Sequence, residues 1–278
     1  MSGSRRKAQY LLAKKEFMDK VRNKWVLFIG ITFVALILLL SAYGGVQSRN
    51  EAGLKGFEFT MKVGSSIVVL LISIVAVIMG YKTVVEEIES RSIALVLASE
   101  LSREDVILAK FAGLSSVLSV SIFGGLGIGG LIIGITSGFG GAIDYLGFIL
   151  FSVLFGCAYI SIAILMSSFV SSTSRALAGG IFVWIFFNMI WDLVLLGILM
   201  ATGWSFPTDL STTITYPDWY WFSGAFNPNS AYGTAISRLT GSTGLPELLN
   251  LPLLFCVLMM WIIIPLIIAM YNFDRKDL

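Results

Sequence analysis

Long apolar runs alternate with short polar segments along this chain, and their lengths predict membrane-spanning helices. The hydrocarbon core of a bilayer, about 30 Å thick, requires about 20 mostly apolar residues per helix. Six runs meet or approach this length: residues 25–43, 64–81, 107–135, 145–169, 177–201 and 249–273. Unbroken runs favour helices over a barrel, whose strands are short and alternate in polarity. We therefore expect an all-α polytopic protein with six transmembrane helices, in which residues 1–278 form one transmembrane domain.

The segment of residues 83–103, between the second and third runs, is too polar to cross a bilayer. Its charged residues are Glu86, Glu87, Glu89, Arg91, Glu100 and Arg103. Its apolar residues have the i, i+3, i+4, i+8 spacing of a short amphipathic helix; they are Ile93, Val96, Leu97 and Leu101. A charged amphipathic helix kept between two spans indicates contact with a soluble partner. Ser102 and Asp105 match a capping box, which predicts that the next helix begins near Arg103.

Residues 1–24, before the first run, are rich in basic side chains, and residues 13–24 are amphipathic. Apolar side chains recur there at i, i+4, i+8, and the other positions are mostly charged. This spacing predicts a helix that lies on the membrane surface with its lysines toward anionic head groups. The candidate interfacial residues are Lys15, Phe17, Val21 and Arg22. The pattern fits a plain juxtamembrane anchor as well as one that also touches a protein partner.

Basic residues are distributed unevenly between the two sides of the predicted bundle. The N-terminal segment, the second and fourth loops and the C-terminus together hold 15 of them, against four on the other side. The positive-inside rule therefore places both termini and residues 83–103 in the cytoplasm. A net charge of +2 is too small to indicate binding of nucleic acid.

Composition excludes several kinds of chemistry. Only 13% of residues are charged, against about 25% in soluble domains. The absence of histidine excludes a Ser–His dyad and imidazole metal sites, and the chain lacks a phosphate-binding loop ending in Gly-Lys-Ser/Thr. Cys157 and Cys256 lie inside predicted spans and are expected to be small buried apolar residues. We therefore expect neither an enzyme active site nor a metal site.

Two polar residues, Asn188 and Asp192, are four positions apart in the fifth run and so share a helix face. An acid at membrane depth is costly and normally faces a partner, water or a substrate path. Two interpretations stay open: a packing contact or subunit interface, and an ion-binding site.

The third run and the last predicted loop carry two further local signals. Gly125/Gly129 and Gly130/Gly134 are small-xxx-small pairs that allow close helix packing in lipid. In the outer loop, residues 202–250, aromatic residues suit the membrane interface, and Asn227 followed by Pro228 predicts a helix that extends to Leu239.

Residues 87–103 resemble the signature of ABC exporter permeases of the second bacterial type. This group includes permeases of copper-enzyme maturation and of sodium, antibiotic and polysaccharide export. The residues in register with the signature are Glu87, Glu89, Ser90, Leu95, Leu97, Ser102 and Arg103. The departures are Arg91, Ser92 and Glu100, where the family prefers Gly, Thr and Pro. The resemblance also covers the Lys-Lys-Glu-Phe start, the six spans, the Ser-rich fourth loop, the Asn-Pro stretch and residues 273–277.

The resemblance implies a half-transporter of the plasma membrane, in which two six-span copies form the pathway. Its implied partners are an ABC ATPase dimer, a second copy of the chain and membrane lipid, but no nucleic acid. ATP and Mg would be bound by the ATPase, so this chain would hold no cofactor. Residues 14–24 would be a connecting helix, and residues 86–97 a coupling helix seated in the ATPase. The implied coupling residues are Glu86, Glu87, Glu89, Arg91, Ile93, Leu95 and Leu97.

Two rival classes remain on the sequence alone. An ion-coupled secondary carrier would titrate Asp192 and transport without an ATPase. A non-transporting scaffold or receptor would stimulate no ATP hydrolysis. The sequence does not indicate the substrate.

Overall fold

The computed structural model describes residues 2–22, 56–89, 102–204 and 216–275, together with scattered residues from 24 to 39. Every element among these residues is helical. In chain order the elements are α1 (Ser2–Arg22), α2 (Gly56–Gly80), α3 (Val85–Glu89), α4 (Arg103–Ser137), α5 (Ala142–Phe169), α6 (Thr173–Ile185), a π-helix (Phe186–Ile190), α7 (Trp191–Ala201), α8 (Asp218–Ala225), α9 (Pro228–Leu239) and α10 (Leu251–Asp274).

Five described helices are long and apolar enough to cross a membrane. They are α2, α4, α5, α10 and the continuous helix Thr173–Ala201, which joins α6, the π-helix and α7 and is called here the α6–α7 span. The predicted first span, residues 25–43, lies largely outside the described residues. The helix α2 begins eight residues before the predicted position 64, because its polar first turns are stabilised by an i, i+4 ion pair between Glu58 and Lys62 at 3.0 Å.

The helix α5 lies at the centre of the core and is the most buried of the five candidate spans. Its large side chains Phe148, Phe155 and Tyr159 are fully buried. Both α2 and α4 pack on α5 through small residues: a Cβ added at Gly156 would lie 2.5 Å from Leu118 Cδ2. The predicted pairing of glycines in α4 also serves packing, since a Cβ added at Gly130 would lie 2.4 Å from the Tyr145 ring.

One face of α10 packs along α5, and the opposite face of α10 lies outside the bundle. Ser161 of α5 donates to the carbonyl of Ile262 at 2.5 Å. The expectation that both cysteines are buried is wrong for Cys256, which lies on the outer face of α10, whereas Cys157 is half-buried. A residue inside an apolar run can face lipid as well as core, and the run alone does not separate the two.

The polar loop after α7 contains two helices, of which α9 confirms the helix predicted from Asn227 and Pro228. Asn227 caps α9 by accepting a hydrogen bond from the Asn229 backbone N–H at 2.9 Å. The helix α9 is fixed to α5 by hydrogen bonds from Tyr232 to Ser152 (2.9 Å) and from Tyr159 to Asn229 (2.6 Å).

Candidate functional site at the charged end of the bundle

Many of the described polar links between helices lie at one end of the bundle, which we call the charged end. This end contains α1, α3, the first two turns of α4, the turn between α5 and α6, and the last turn of α10. It includes the described part of the segment 83–103 that the sequence singles out.

The turn between α2 and α3 is buried and is fastened to α5. Val84 and Val85 are almost completely buried, and their backbone N–H groups both donate to Ser167 Oγ at 3.0 Å. Ser167 lies in the last turn of α5 and is itself buried. The first backbone donors of a helix have no partner within the helix. Here one hydroxyl of a neighbouring span supplies that partner, so the start of the segment 83–103 is fixed to α5.

The end of α3 is fastened to a different span through Glu89. The Glu89 carboxylate accepts hydrogen bonds from the backbone N–H of Thr173 at 2.8 Å and from the Thr173 hydroxyl. Thr173 is the first residue of α6, and the residue at the N-cap, Ser172, does not cap the helix with its own side chain. Glu89 therefore caps the α6–α7 span from outside it, across 84 residues of sequence.

The charge of Glu89 is stabilised by these contacts. Hydrogen bonds from Thr173, first from its hydroxyl and then from its backbone, hold the pKa of the Glu89 carboxyl below its usual value, and the nearby Arg175 acts in the same direction. Arg175 is itself held by the Ser171 and Ser172 hydroxyls, at 3.2 and 2.9 Å. The serine-rich turn after α5 thus orients a positive charge near the carboxylate.

The structure describes only the beginning of the predicted coupling helix. Glu86 is exposed and forms an i, i+4 ion pair with Lys82 at 3.6 Å. Glu87 lies in α3, between Glu86 and Glu89. The remaining predicted coupling residues lie outside the described part of the chain; they are Arg91, Ile93, Leu95 and Leu97.

The start of α4 confirms the predicted capping box and adds a link to α10. Ser102 Oγ accepts from the Asp105 backbone N–H at 3.2 Å, and Asp105 Oδ2 accepts from the Ser102 N–H at 3.0 Å. The Arg103 guanidinium donates to the backbone carbonyls of Phe273 and Asp274, both at 3.0 Å. These carbonyls end α10, where a cation also favours the helix dipole. Two of the signature residues in register, Ser102 and Arg103, therefore cap two different helices.

The helix α1 lies against the first turns of α4. The Gln9 side-chain amide donates to Asp105 of α4, and Lys110 Nζ lies 2.9 Å from Glu16 Oε1. The side chains of Lys110 and Glu16 are only 6% and 20% exposed, so this ion pair is largely shielded from solvent. The backbones approach closely at Gly113, where an added Cβ would lie 2.8 Å from the Ala13 carbonyl oxygen.

The predicted interfacial residues fall on two faces of α1. Phe17 and Val21 are half-buried, and Phe17 packs against the core of the bundle. Lys15 and Arg22 belong to an exposed stripe that also contains Lys7, Tyr10, Leu11, Lys14, Met18 and Asp19. The apolar side of α1 that the sequence assigns to the membrane surface is thus used, in part, to pack on α4.

The two polar residues of the fifth run have different surroundings. Asn188 lies in the π-helix, is half-buried and donates to the Trp184 carbonyl at 2.9 Å. Trp184 in turn donates to Ser73 of α2 at 2.8 Å. Asp192 lies in the first turn of α7 and is exposed on the surface of the chain.

A second polar cluster, toward the other end of the bundle, was not predicted. The π-helix widens the α6–α7 span, and the Trp191 N–H bonds to the Phe186 carbonyl five residues earlier. The next carbonyl, of Phe187, accepts hydrogen bonds from the side-chain amides of Asn227 at 2.8 Å and Asn229 at 3.1 Å. Asn227 is completely buried. The Asn-Pro-Asn sequence signals a helix cap, but nothing in it indicates that both amides also bind a distant span.

The carboxylates at the charged end form structural links. Glu16 is paired with Lys110, Asp105 caps α4, and Glu89 caps α6. Within the described ranges, no group of three or more His, Cys, Asp or Glu residues is placed to hold a metal ion. The geometry of this end is suited to passing a displacement from one helix to another.

Comparison with known proteins assigns the chain to a family. A family model described as "ABC-2 family transporter protein" matches residues 10–278. Among the relatives is a "Probable ABC transporter permease protein NosY" of Stutzerimonas stutzeri, which is 27% identical over 95% of this chain and 97% of its own length. A protein with the same name from Pseudomonas aeruginosa is 30% identical over 69% of this chain and 71% of its own length.

These matches cover nearly the whole chain and confirm the resemblance carried by residues 87–103. The protein is a multi-pass protein of the plasma membrane and the transmembrane subunit of an ABC transporter. The chain belongs to the ABC-2 transporter family.

Proposed function

We propose that this subunit pairs with a second copy of itself to form the pathway of an exporter, and that a separate pair of ABC ATPase subunits drives it. ATP and Mg would be bound by the ATPase. With a first span at residues 25–43, both termini and the charged end would lie in the cytoplasm. The observation that carries the proposal is the charged end itself, where the segment after α2 is bonded to α5 and α6.

A soluble ATPase can act on the bundle only through groups that it can reach. The segment after α2 offers such groups, since Glu86 is exposed whereas Val84 and Val85 are buried and fixed to α5. A partner that binds residues 86–97 would therefore act on an element that is already fastened to two spans. This arrangement supports a coupling role for the segment 83–103.

Charge reversal tests the docking of the ATPase. A Glu86→Lys, Glu87→Lys variant should lower the amount of co-expressed ATPase that co-purifies with the permease in detergent, because interface charges govern recognition. Glu247→Lys is the matched control, since it reverses an exposed acid between α9 and α10, at the opposite end of the bundle. Undiminished recovery with the double variant would contradict docking at this segment.

Assembly is tested by native mass spectrometry of the complex in nanodiscs. We expect two copies of the permease with two ATPase subunits, since a single bundle offers one half of a two-fold pathway. A complex that contains one permease at every protein concentration would refute the dimer.

A further inference from the structure

The α6–α7 span is the least buried of the five candidate spans. Only 11% of its most apolar stretch is buried, whereas the other four range from 33% to 72%. Side-chain packing therefore restrains this span less than its neighbours. It does contact α2 near its start, where a Cβ added at Gly180 would lie 2.8 Å from Val77. Polar links at a few positions consequently have a large share in fixing its position.

The first of these links is the contact of Glu89 with Thr173. Both carboxylate oxygens of Glu89 are used, one by the Thr173 backbone N–H and one by its hydroxyl, which fixes the direction as well as the distance of the contact. Since Ser172 makes no side-chain cap, the acceptor for this helix end comes from α3.

The opposite end of α3 is held in a different way. The buried turn that carries Val84 and Val85 is bonded to Ser167 and packs in the core, so it is the fixed side of α3. Glu89, four residues after Val85, is the exposed side. A force on the segment after Glu89 would tilt α3 about the buried turn, and the first turn of α6 would follow Glu89.

We infer that Glu89 is a positioning residue that transmits displacement of the segment after α2 to the α6–α7 span. This inference rests on the proposed ATPase-driven function and refines it: Glu89 acts within the permease, through Thr173, and is not itself a docking charge for the ATPase. The two roles differ in what they require. A docking charge requires a negative group of any length, whereas the link requires a carboxylate that reaches Thr173.

The test measures movement of the span without the need for a substrate. The native Cys157 and Cys256 are replaced by serine, and a single cysteine is introduced at Met200, an exposed position near the end of α7. The rate at which a maleimide labels Met200→Cys is compared with and without ATP and vanadate, in the complex with the ATPase in nanodiscs. For the otherwise native complex we expect a nucleotide-dependent change in this rate.

Three substitutions at the link should reduce or remove that change while recovery of the ATPase stays at the native level. Glu89→Gln removes the charge and one acceptor, and Glu89→Asp keeps the charge but shortens the reach. Thr173→Val keeps the shape of the side chain and removes the hydroxyl, so it should cause a partial loss. Glu247→Gln is the control and should behave as the native chain, because Glu247 is an exposed acid between α9 and α10, away from the charged end.

The outcomes separate the inference from the proposed function. In one outcome, the nucleotide-dependent labelling is normal in Glu89→Asp and Thr173→Val, and ATPase recovery is lowered only in Glu89→Gln. This result would show that Glu89 is a docking charge and would overturn the inference. A native response in all three variants would also overturn it. If the otherwise native chain recovers no ATPase, the proposed function itself is wrong.

Discussion

Gly113 lies where α1 meets α4, and a methyl group at this position would have no room. An added Cβ would lie 2.7 Å from Glu16 Cβ and 2.8 Å from the Ala13 carbonyl oxygen. Carbon atoms pack at about 3.5–4.0 Å, so Gly113→Ala should push α1 away from α4 by about 1 Å. Such overpacking costs about 1–3 kcal/mol of stability. The better helix propensity of alanine offsets about 1 kcal/mol of this loss.

The same displacement would stretch the nearby ion pair. Lys110 and Glu16 are 2.9 Å apart, and about 1 Å more exceeds the usual length of a hydrogen bond, about 3.2 Å at most. Since both side chains are largely buried, weakening this pair adds to the loss. We therefore expect Gly113→Ala to lower the free energy of unfolding by about 2 kcal/mol.

The matched control is Gly124→Ala in the same helix. A Cβ added at Gly124 meets no atom within 4 Å, so this substitution should gain up to about 1 kcal/mol from helix propensity alone. The assay is thermal unfolding of each purified variant in the same detergent, followed by tryptophan fluorescence. Gly113→Ala should melt several degrees below Gly124→Ala. Equal melting temperatures, or a higher one for Gly113→Ala, would refute the close contact between α1 and α4.

Three further outcomes are expected. Lys110→Met should lower the melting temperature more than Gly113→Ala does. It leaves the Glu16 carboxylate largely buried without its cation, which costs roughly 3–5 kcal/mol. The double variant Lys110→Met, Glu16→Gln should recover part of the loss. Hydrogen bonds from Thr173 are the main cause of the lowered pKa of Glu89. The contact between Glu89 and Thr173 is therefore complete above the ordinary pKa of glutamate and is lost as the pH falls through the lowered value. In a pH series, the nucleotide-dependent labelling should disappear over the same range. Asp192→Asn should keep folding and ATP-driven activity in proteoliposomes, whereas gradient-driven transport without ATPase that this change abolishes would favour the ion-coupled carrier.

Five of the six spans could be predicted from the sequence because length and hydropathy alone determine which runs can cross a bilayer; the first lies largely outside the described residues. The capping box at Ser102 and Asp105 and the helix after Asn227 could be predicted for a related reason, since each depends on residues within a few positions. The early start of α2 was missed. A charged turn can be helical when its charges pair at i, i+4, and hydropathy does not register that pairing.

The links that join the helices could not be predicted in the same way. Glu89 and Thr173 are 84 positions apart, and Arg103 lies 170 positions from Phe273. A single sequence gives no information on which distant groups are in contact. From the sequence, Glu89 is therefore indistinguishable from the other acids of the charged helix. The signature 87–103 indicated that these residues matter, and the structure adds what Glu89, Ser102 and Arg103 contact.

The π-helix in the α6–α7 span has a consequence for how insertions and deletions would act on this protein. A π-turn can be regarded as one residue inserted into an α-helix, so deletion of one residue from Phe186–Ile190 would restore regular α-helical geometry. Everything beyond would then rotate by about 100°, the turn per residue of an α-helix. Asp192 and the rest of α7 would then face different surroundings. The side-chain amides of Asn227 and Asn229 would lose the widened turn in which they bind the Phe187 carbonyl. The extra residue thus sets the rotational register of the last third of this span.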